Sequence, residues 1–296
     1  MNYIILDMEW DSSYNKALSR FINQILQIGA VKLDEQLNVI DTFSCNIRSS
    51  FTNRVSGRFA RLTGITNDVM RSGIPFDDAV DAYNEFAGTD TVTMTWSNSD
   101  LYTIIENETN LLKGKHFHFE KYLDLQEYIQ NEMRHLGFEI TSQISLSNAA
   151  LLLGINSEDI DLHTAEDDSM LAARILKKHY NKDNFCSYIR DTQNPEFYKK
   201  LTYKPHYIDD INSEFVNSSD FVFFCDGCNK RLKRLSNWHF KNRNFNAVHK
   251  CPECNKKYIA RVSIRKNYDD VTVKRKLTEY VKKEKKDEVQ SVPEKV

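Results

Sequence analysis

No apolar run in this 296-residue sequence approaches the roughly 20 residues needed to cross a bilayer, and no period repeats along it. Met1–Asn2–Tyr3 leads directly into a strand-like segment and not into a leader peptide, so the expectation is an intracellular, cytoplasmic protein with no membrane partner. Cysteine is scarce, with six residues, four of them in two C-x-x-C pairs. In an intracellular chain that pattern points to metal binding and away from a disulfide framework. The rest of the composition is ordinary for a globular protein, at 41% hydrophobic and 28% charged residues. The length suits one sizeable domain with its own core plus a smaller module.

Positive charge is sparse over most of the chain. Residues 1–220 carry 20 Lys and Arg against 33 Asp and Glu, a net of −13. Residues 221–286 carry 19 against 6, a net of +13, and the last ten residues add −2. An acidic body joined to a basic segment points to a polyanionic partner, although Lys-rich stretches also serve solubility alone.

Taken in order, Tyr3–Ile4–Ile5–Leu6 reads as a short buried strand, followed by strands over Phe21–Leu33 and Val39–Ile47. Phe76–Phe86 and Leu101–Leu112 have helical apolar spacing, and Thr91–Trp96 alternates as a strand between them. A further strand is expected near Phe117–Phe119, with helices over Leu125–Leu136, Ser147–Leu153 and from about Thr164 to Tyr180. Three strands followed by alternating helices and strands predict an α/β fold, a mixed sheet flanked by helices. The expected divisions are a body over 1–180, a connecting segment over 181–219, a compact module over 220–265, and a charged, partly helical or disordered tail over 266–296. The tail's weak helical pattern rests on Val273, Leu277, Tyr280 and Val281.

Chemistry concentrates first at the end of the opening strand. Alternate side chains of a strand share a face, so Asp7 and Glu9 point the same way. Side-by-side carboxylates repel unless a cation lies between them, and hard oxygen ligands suit Mg²⁺ or Mn²⁺. An isolated D-x-E is more often a solvated strand end, so the metal reading depends on further acids downstream. In His163–Thr164–Ala165–Glu166–Asp167–Asp168, Thr164 can cap the following helix, with Asp167 completing a capping box. Asp168 instead shares the face of Leu171, Ala172, Ile175 and Leu176, where a carboxylate needs a partner. His163 lies in the loop just before it. Asp100 either caps the helix beginning at Leu101 or joins the other acids.

Asp7 and Glu9 in D-x-E, Trp96 and Asp100 in W-x-x-x-D, and His163 and Asp168 in H-x-x-x-x-D together resemble the DEDDh group of 3′–5′ exonucleases. The Trp form of the middle motif, with Leu62–Thr63–Gly64–Ile65–Thr66 between motifs, is most similar to the RNase T and histone-mRNA 3′ exonuclease branch. The resemblance covers roughly residues 1–180. The one departure is Ser97–Asn98–Ser99, where the family more often has a Gly-containing triplet. It implies an RNase H-like fold and hydrolysis of single-stranded nucleic acid from the 3′ end, with RNA or short oligonucleotides favoured over DNA. It also implies two Mg²⁺ or Mn²⁺ ions, with Asp7 bridging them and Glu9, Asp100 and Asp168 completing their shells. His163 would take the proton of the attacking water. Met8, Trp10, Phe59 and Leu62 are candidates to stack on or wedge the terminal bases, and each has a core-packing reading beside it.

The second concentration is Cys225–Asp226–Gly227–Cys228 and Cys251–Pro252–Glu253–Cys254, two knuckles separated by 22 residues. Four thiolates so spaced fit one structural Zn²⁺, and the module resembles a zinc ribbon; a redox pair is the alternative. So small a module needs metal binding to fold. Lys230, Arg231, Lys233, Arg234, Lys241, Arg243 and Lys250 are interleaved with Trp238, Phe240 and Phe245, which suits phosphate pairing plus base stacking. The competing reading is that the aromatics pack the ribbon and the charges keep it soluble. A protein partner for this module, and an adaptor that retains an idle exonuclease fold, are the alternatives from other functional classes.

Overall fold

The computed structural model describes residues 1–112, 114–156 and 164–280. They fall into two compact units, Met1–Thr202 and one beginning at Tyr203.

The first unit opens with β1 (Asn2–Asn15), β2 (Arg20–Leu33) and β3 (Val39–Asn46), an antiparallel meander. Then come α1 (Gly57–Thr63), α2 (Asn67–Ser72), α3 (Phe76–Ala87), β4 (Thr91–Thr95), α4 (Ser99–Leu111), β5 (Lys121–Asp124) and α5 (Leu125–His135). The unit closes with α6 (Leu146–Leu152), α7 (Ala165–His179), α8 (Lys182–Tyr188), β6 (Arg190–Asp191) and α9 (Pro195–Thr202). The sheet order is β3-β2-β1-β4-β5-β6, with β1 antiparallel to β2 and parallel to β4. This is the expected mixed sheet flanked by helices, and β1 lies where its antiparallel and parallel parts meet.

Both faces of β1 are covered, so its first residues form a continuous apolar run without alternation. Tyr3 and Ile5 pack with Leu171 and Ile175 of α7 on one face. Ile4, Leu6 and Met8 pack with Val80 and Tyr83 of α3 and with Leu101 and Ile104 of α4 on the other. β1 runs well beyond Leu6 because Trp10–Asn15 pairs with Arg20–Ile25 as a hairpin arm, after a register shift between Glu9 and Trp10. The strand expected at Phe117–Phe119 begins instead at Lys121. Both phenylalanines are 5% exposed, so their apolarity serves burial against α3 and not sheet pairing.

Three features depart from the expected divisions of the chain. The segment expected to connect two domains through short helices does form two, α8 and α9, but with β6 they belong to the first unit; β6 pairs with β5, and Phe185 of α8 is fully buried. The next strand, β7 (His206–Tyr207), belongs to the second unit and pairs with β11 (Lys257–Lys266). The helical pattern expected in the tail is a strand instead. β8 (Lys233–Arg234), β9 (His239–Lys241), β10 (Asn244–Lys250), β11 and β12 (Val271–Glu279) form one sheet, with β12 antiparallel to β11 along its length. Val271, Val273 and Leu277 all pack on the unit's core. Residues four apart share a face on a strand as well as on a helix, so the Val273–Leu277 spacing did not separate the two. Val281 lies outside the described residues.

The core of the second unit is the alternating buried set Tyr258, Ala260, Val262 and Ile264 of β11, joined by Phe245, Cys225 and Cys251.

Candidate metal centres

Asp7 and Glu9 continue the face of β1 that carries Tyr3 and Ile5, the face covered by α7. Opposite them on β2 lie Gly29 and Gln27. The start of α7 is fastened to these two residues. The Ala165 N–H donates to Gln27 Oε1 at 3.0 Å, and Ser169 Oγ donates to the Gly29 carbonyl at 3.1 Å. The Thr164 hydroxyl caps α7, accepting from the Asp167 N–H at 3.2 Å and donating to the Asp167 carboxylate at 2.7 Å. Asp167 is thereby occupied at the cap, while the next residue turns toward β1. Ligand oxygens of Asp7, Glu9 and Asp168 all lie within 4.8 Å of one another.

Asp100 arrives from the other side of β1. Asn98 is the N-cap of α4, so Asp100 falls inside its first turn and is 4% exposed. Burial raises its pKa to about 7, helped by the charge of Asp124 at the end of β5. Glu9 is also raised to about 7, by burial and then by Asp168 and Asp100. Asp7 stands well above the usual carboxylate range because it is desolvated and faces Asp100, Asp168 and Glu9; only the Met8 N–H opposes this. Converging carboxylates that repel one another suit hard divalent cations such as Mg²⁺ or Mn²⁺. His163 lies outside the described residues.

The side chains expected to meet terminal bases separate. Met8 is 3% exposed, in the core on the face away from Asp7 and Glu9, so it presents only its N–H to the acids. Phe59 is buried with Leu26, Ile65 and Met70, the packing role. Trp10 is half-buried at the edge of the core, and Leu62 is exposed on α1. Sequence reasoning missed Gln27, Gly29, Ser169 and Asp124. Only Gly29 carried a signal, as a lone glycine inside the apolar run Ile25–Val31, the mark of a close backbone approach.

In the second unit the Sγ atoms of Cys225, Cys228, Cys251 and Cys254 also lie within 4.8 Å of one another. The short contacts run between knuckles, Cys225 to Cys254 at 3.5 Å and Cys228 to Cys251 at 3.3 Å, and all four thiols are free. Each knuckle ends on an asparagine in the left-handed region, Asn229 (φ 54°) and Asn255 (φ 61°). Each also closes by a hydrogen bond from its first cysteine's N–H, to the carbonyls of Lys230 and Lys256. The repeated C-x-x-C-N-K, legible in the sequence, encodes this matching pair of turns. Tyr258 approaches Cys225 at 3.2 Å and brings its thiol pKa down to about 6. Four converging sulfurs held by two backbone turns fit a tetrahedral Zn²⁺.

The family model of the RNase_T exonucleases matches residues 17–176. The match contains Asp100, His163 and Asp168; Asp7 and Glu9 precede it and join the site through the pairing of β1 with β2 and β4. No curated protein sequence matches the chain. Among solved structures, the nuclease domain of 3′hExo, a DEDDh family member bound to rAMP, is 22% identical, with a TM-score of 0.51 over 60% of this chain and 90% of that one. A 3′-exonuclease recognising the 3′ end of the histone mRNA stem-loop is 21% identical, with a TM-score of 0.53 over 64% of this chain and 84% of that one. Cell-death related nuclease 4 (CRN-4) is 19% identical, with a TM-score of 0.50 over 60% of this chain; the match spans 62% of the nuclease's own length. These likenesses establish the fold.

Proposed function

From its membership of the RNase_T exonuclease family, we propose that the chain is a metal-dependent 3′–5′ exonuclease acting on single-stranded nucleic acid, with RNA or short oligonucleotides preferred. The observation that carries the proposal is the convergence of Asp7, Glu9 and Asp168 within 4.8 Å, with buried Asp100 acting electrostatically on the first two. These acids would hold two Mg²⁺ or Mn²⁺ ions, which when bound supply the positive charge that activates water and stabilises the attacked phosphate. Asp7 is central, under the influence of each of the other three acids, and would be shared between the two ions. His163, five residues before Asp168 and ahead of the Thr164 cap, accepts the proton of the attacking water. The preference for RNA draws support from the rAMP and histone mRNA contacts of the two structural neighbours. The second unit would hold the strand through its basic surface, around one Zn²⁺.

The test is incubation of oligonucleotides labelled at either end with Mg²⁺ or Mn²⁺, with EDTA as control. Metal-dependent shortening from the 3′ end of both RNA and DNA strands, faster for RNA, is expected. No shortening with either metal would refute the catalytic reading, and shortening from the 5′ end would refute the polarity.

A further inference from the structure

The second unit contains a cavity of about 430 Å³ lined by Phe221, Trp238, His249, Leu232, Arg231 and Arg234, among others. Its aromatic residues form one connected wall. Trp238 meets Phe221 edge-on at 4.8 Å between ring centroids and lies 5.3 Å from the His249 ring. His249 is only 3% exposed. Its Nδ1 lies 3.3 Å from the Ala247 carbonyl, which can only accept a proton, so Nδ1 is the donor there. Among the described residues neither Nε2 of this ring nor the Trp238 indole N–H has a hydrogen-bond partner, and neither atom is sealed from solvent. Arg231 and Arg234 are exposed and make no ion pair among the described residues. From Tyr203 to Tyr280, Lys and Arg outnumber Asp and Glu by 16 to 9.

Each feature narrows the occupant. Two guanidinium groups disfavour a cation and favour an anion, for which phosphate offers matching geometry. A wall of three aromatic rings favours a flat ring, and the free polar edges of His249 and Trp238 suit a ligand that donates and accepts hydrogen bonds in its plane. The volume lies at the small end of ligand cavities, roughly 300–1,000 Å³. A phosphoserine or phosphothreonine peptide would use the arginines but leave the aromatic wall without a flat partner, and a phosphotyrosine ring offers no hydrogen-bonding groups in its plane to His249 and Trp238. A nucleotide uses both.

We propose that this cavity holds one unpaired nucleotide of a single-stranded nucleic acid, its base against Trp238 and His249 and its flanking phosphates on Arg231 and Arg234. The proposal deepens the nucleic-acid reading but requires no hydrolysis, so the two fail separately. It also divides the aromatics of the basic segment by task. Trp238 faces the ligand, whereas Phe245, 2% exposed, belongs to the core.

The test measures binding to the full, zinc-loaded chain carrying Asp168→Ala, so that strands stay intact. The probes are a fluorescein-labelled single strand of 12 nucleotides and its abasic counterpart, which has the same charge but no bases. Their ratio of affinities isolates the contribution of the bases. Adding Trp238→Ala should lower that ratio by roughly 5- to 150-fold, the range for one stacked base, while Trp238→Phe keeps most of it. Arg231→Gln with Arg234→Gln should weaken both strands equally and lower the slope of log K against log salt by about 1.4. Should Trp238→Ala lose its zinc, Trp238→Leu keeps the apolar bulk without the π face and should lose the same ratio. An unchanged ratio in the folded Trp238 variant overturns the proposal. So does displacement of the strand by a phosphoserine peptide that binds Trp238→Ala as well as it binds the parent, which would assign the arginines to a protein. A wild-type chain that hydrolyses nothing would sink the exonuclease reading and leave this ratio unaffected.

Discussion

Gly29 on β2 faces the backbone of Glu166 at the start of α7 so closely that a Cβ built on the glycine would lie 2.1 Å from the Glu166 nitrogen. The same Cβ would meet Ala165 backbone atoms at 2.2 and 2.6 Å. Gly29 pairs with Asp7 across the sheet, so the absent side chain lets the head of α7 settle beside β1 and bring Asp168 to Asp7 and Glu9.

Gly29→Ala should therefore push the head of α7 off the sheet. Neither backbone can yield without breaking the Gln27–Ala165 and Gly29–Ser169 bonds, so the cost should exceed the ~1–3 kcal/mol of ordinary overpacking. Thermal melting should fall, and activity should drop even in the fraction that remains folded. A variant with wild-type melting and turnover would show that α7 is placed by other contacts.

Asp7→Ala or Asp168→Ala should abolish hydrolysis while the fold survives. Each removes a proposed metal ligand, worth several kcal/mol of charge stabilisation or roughly 10³-fold in rate, and relieves repulsion among the acids. Asp167→Asn should lose only part of a cap, about 1 kcal/mol of stability, and keep its turnover. Single-turnover assays on the three variants check the assignment, and an inactive Asp167 variant beside an active Asp168 variant would reverse it.

Glu9 and Asp100 are both raised to about 7 in the folded chain. For a carboxyl raised on folding, protonation favours the folded state. Its contribution is complete below the ordinary carboxylate range near pH 4 and is lost as pH climbs through about 7. With zinc retained and Mg²⁺ omitted, the melting temperature should fall from pH 5 to pH 8. Mg²⁺ should remove most of that slope, since it binds the charged form. Glu9→Gln should reduce it in the absence of metal and leave the share due to Asp100 and Asp7, whereas an equal slope in the variant would show that Glu9 does not contribute.

His163→Asn should slow the chemical step by roughly 10²–10⁴-fold, the usual contribution of a general base, with metal affinity unchanged. The wild-type rate should rise with pH through the imidazole range near 6.5. A flat profile together with an active Asn variant would make the histidine a bystander.

One zinc per chain should be measurable by elemental analysis and should disappear in Cys251→Ser, with loss of β-structure in the second unit. A chain ending at Thr202 should keep metal-dependent turnover but show a higher KM and a weaker salt dependence of binding. The boundary matters. A chain ending near Tyr207 would carry β7 without its β11 partner. An unchanged KM after truncation would assign the second unit to some other partner.

Much of this protein was determined by sequence alone, and the reasons are local. The apolar run before Asp7, the period of α3 and the cap at Thr164 each depend on neighbours within a turn or a strand, so most elements of the first unit up to α7 could be read in order. The residue types and spacings of the acids and cysteines marked the candidate ligands, because ligand chemistry belongs to the side chain, and the fold brings Asp7, Glu9 and Asp168 together, and likewise the four cysteines. Tertiary structure alone decided what these pieces meet. Phe117 and Phe119 are apolar because α3 covers them, Met8 and Phe59 turn to the core, and Val273 and Leu277 lie on a strand because β11 offers an edge to pair with. Gly29 and Gln27 matter only because a helix more than 130 positions later in the chain lands on them. Contacts between segments so distant carry no period and no local preference, and only the folded chain brings them together.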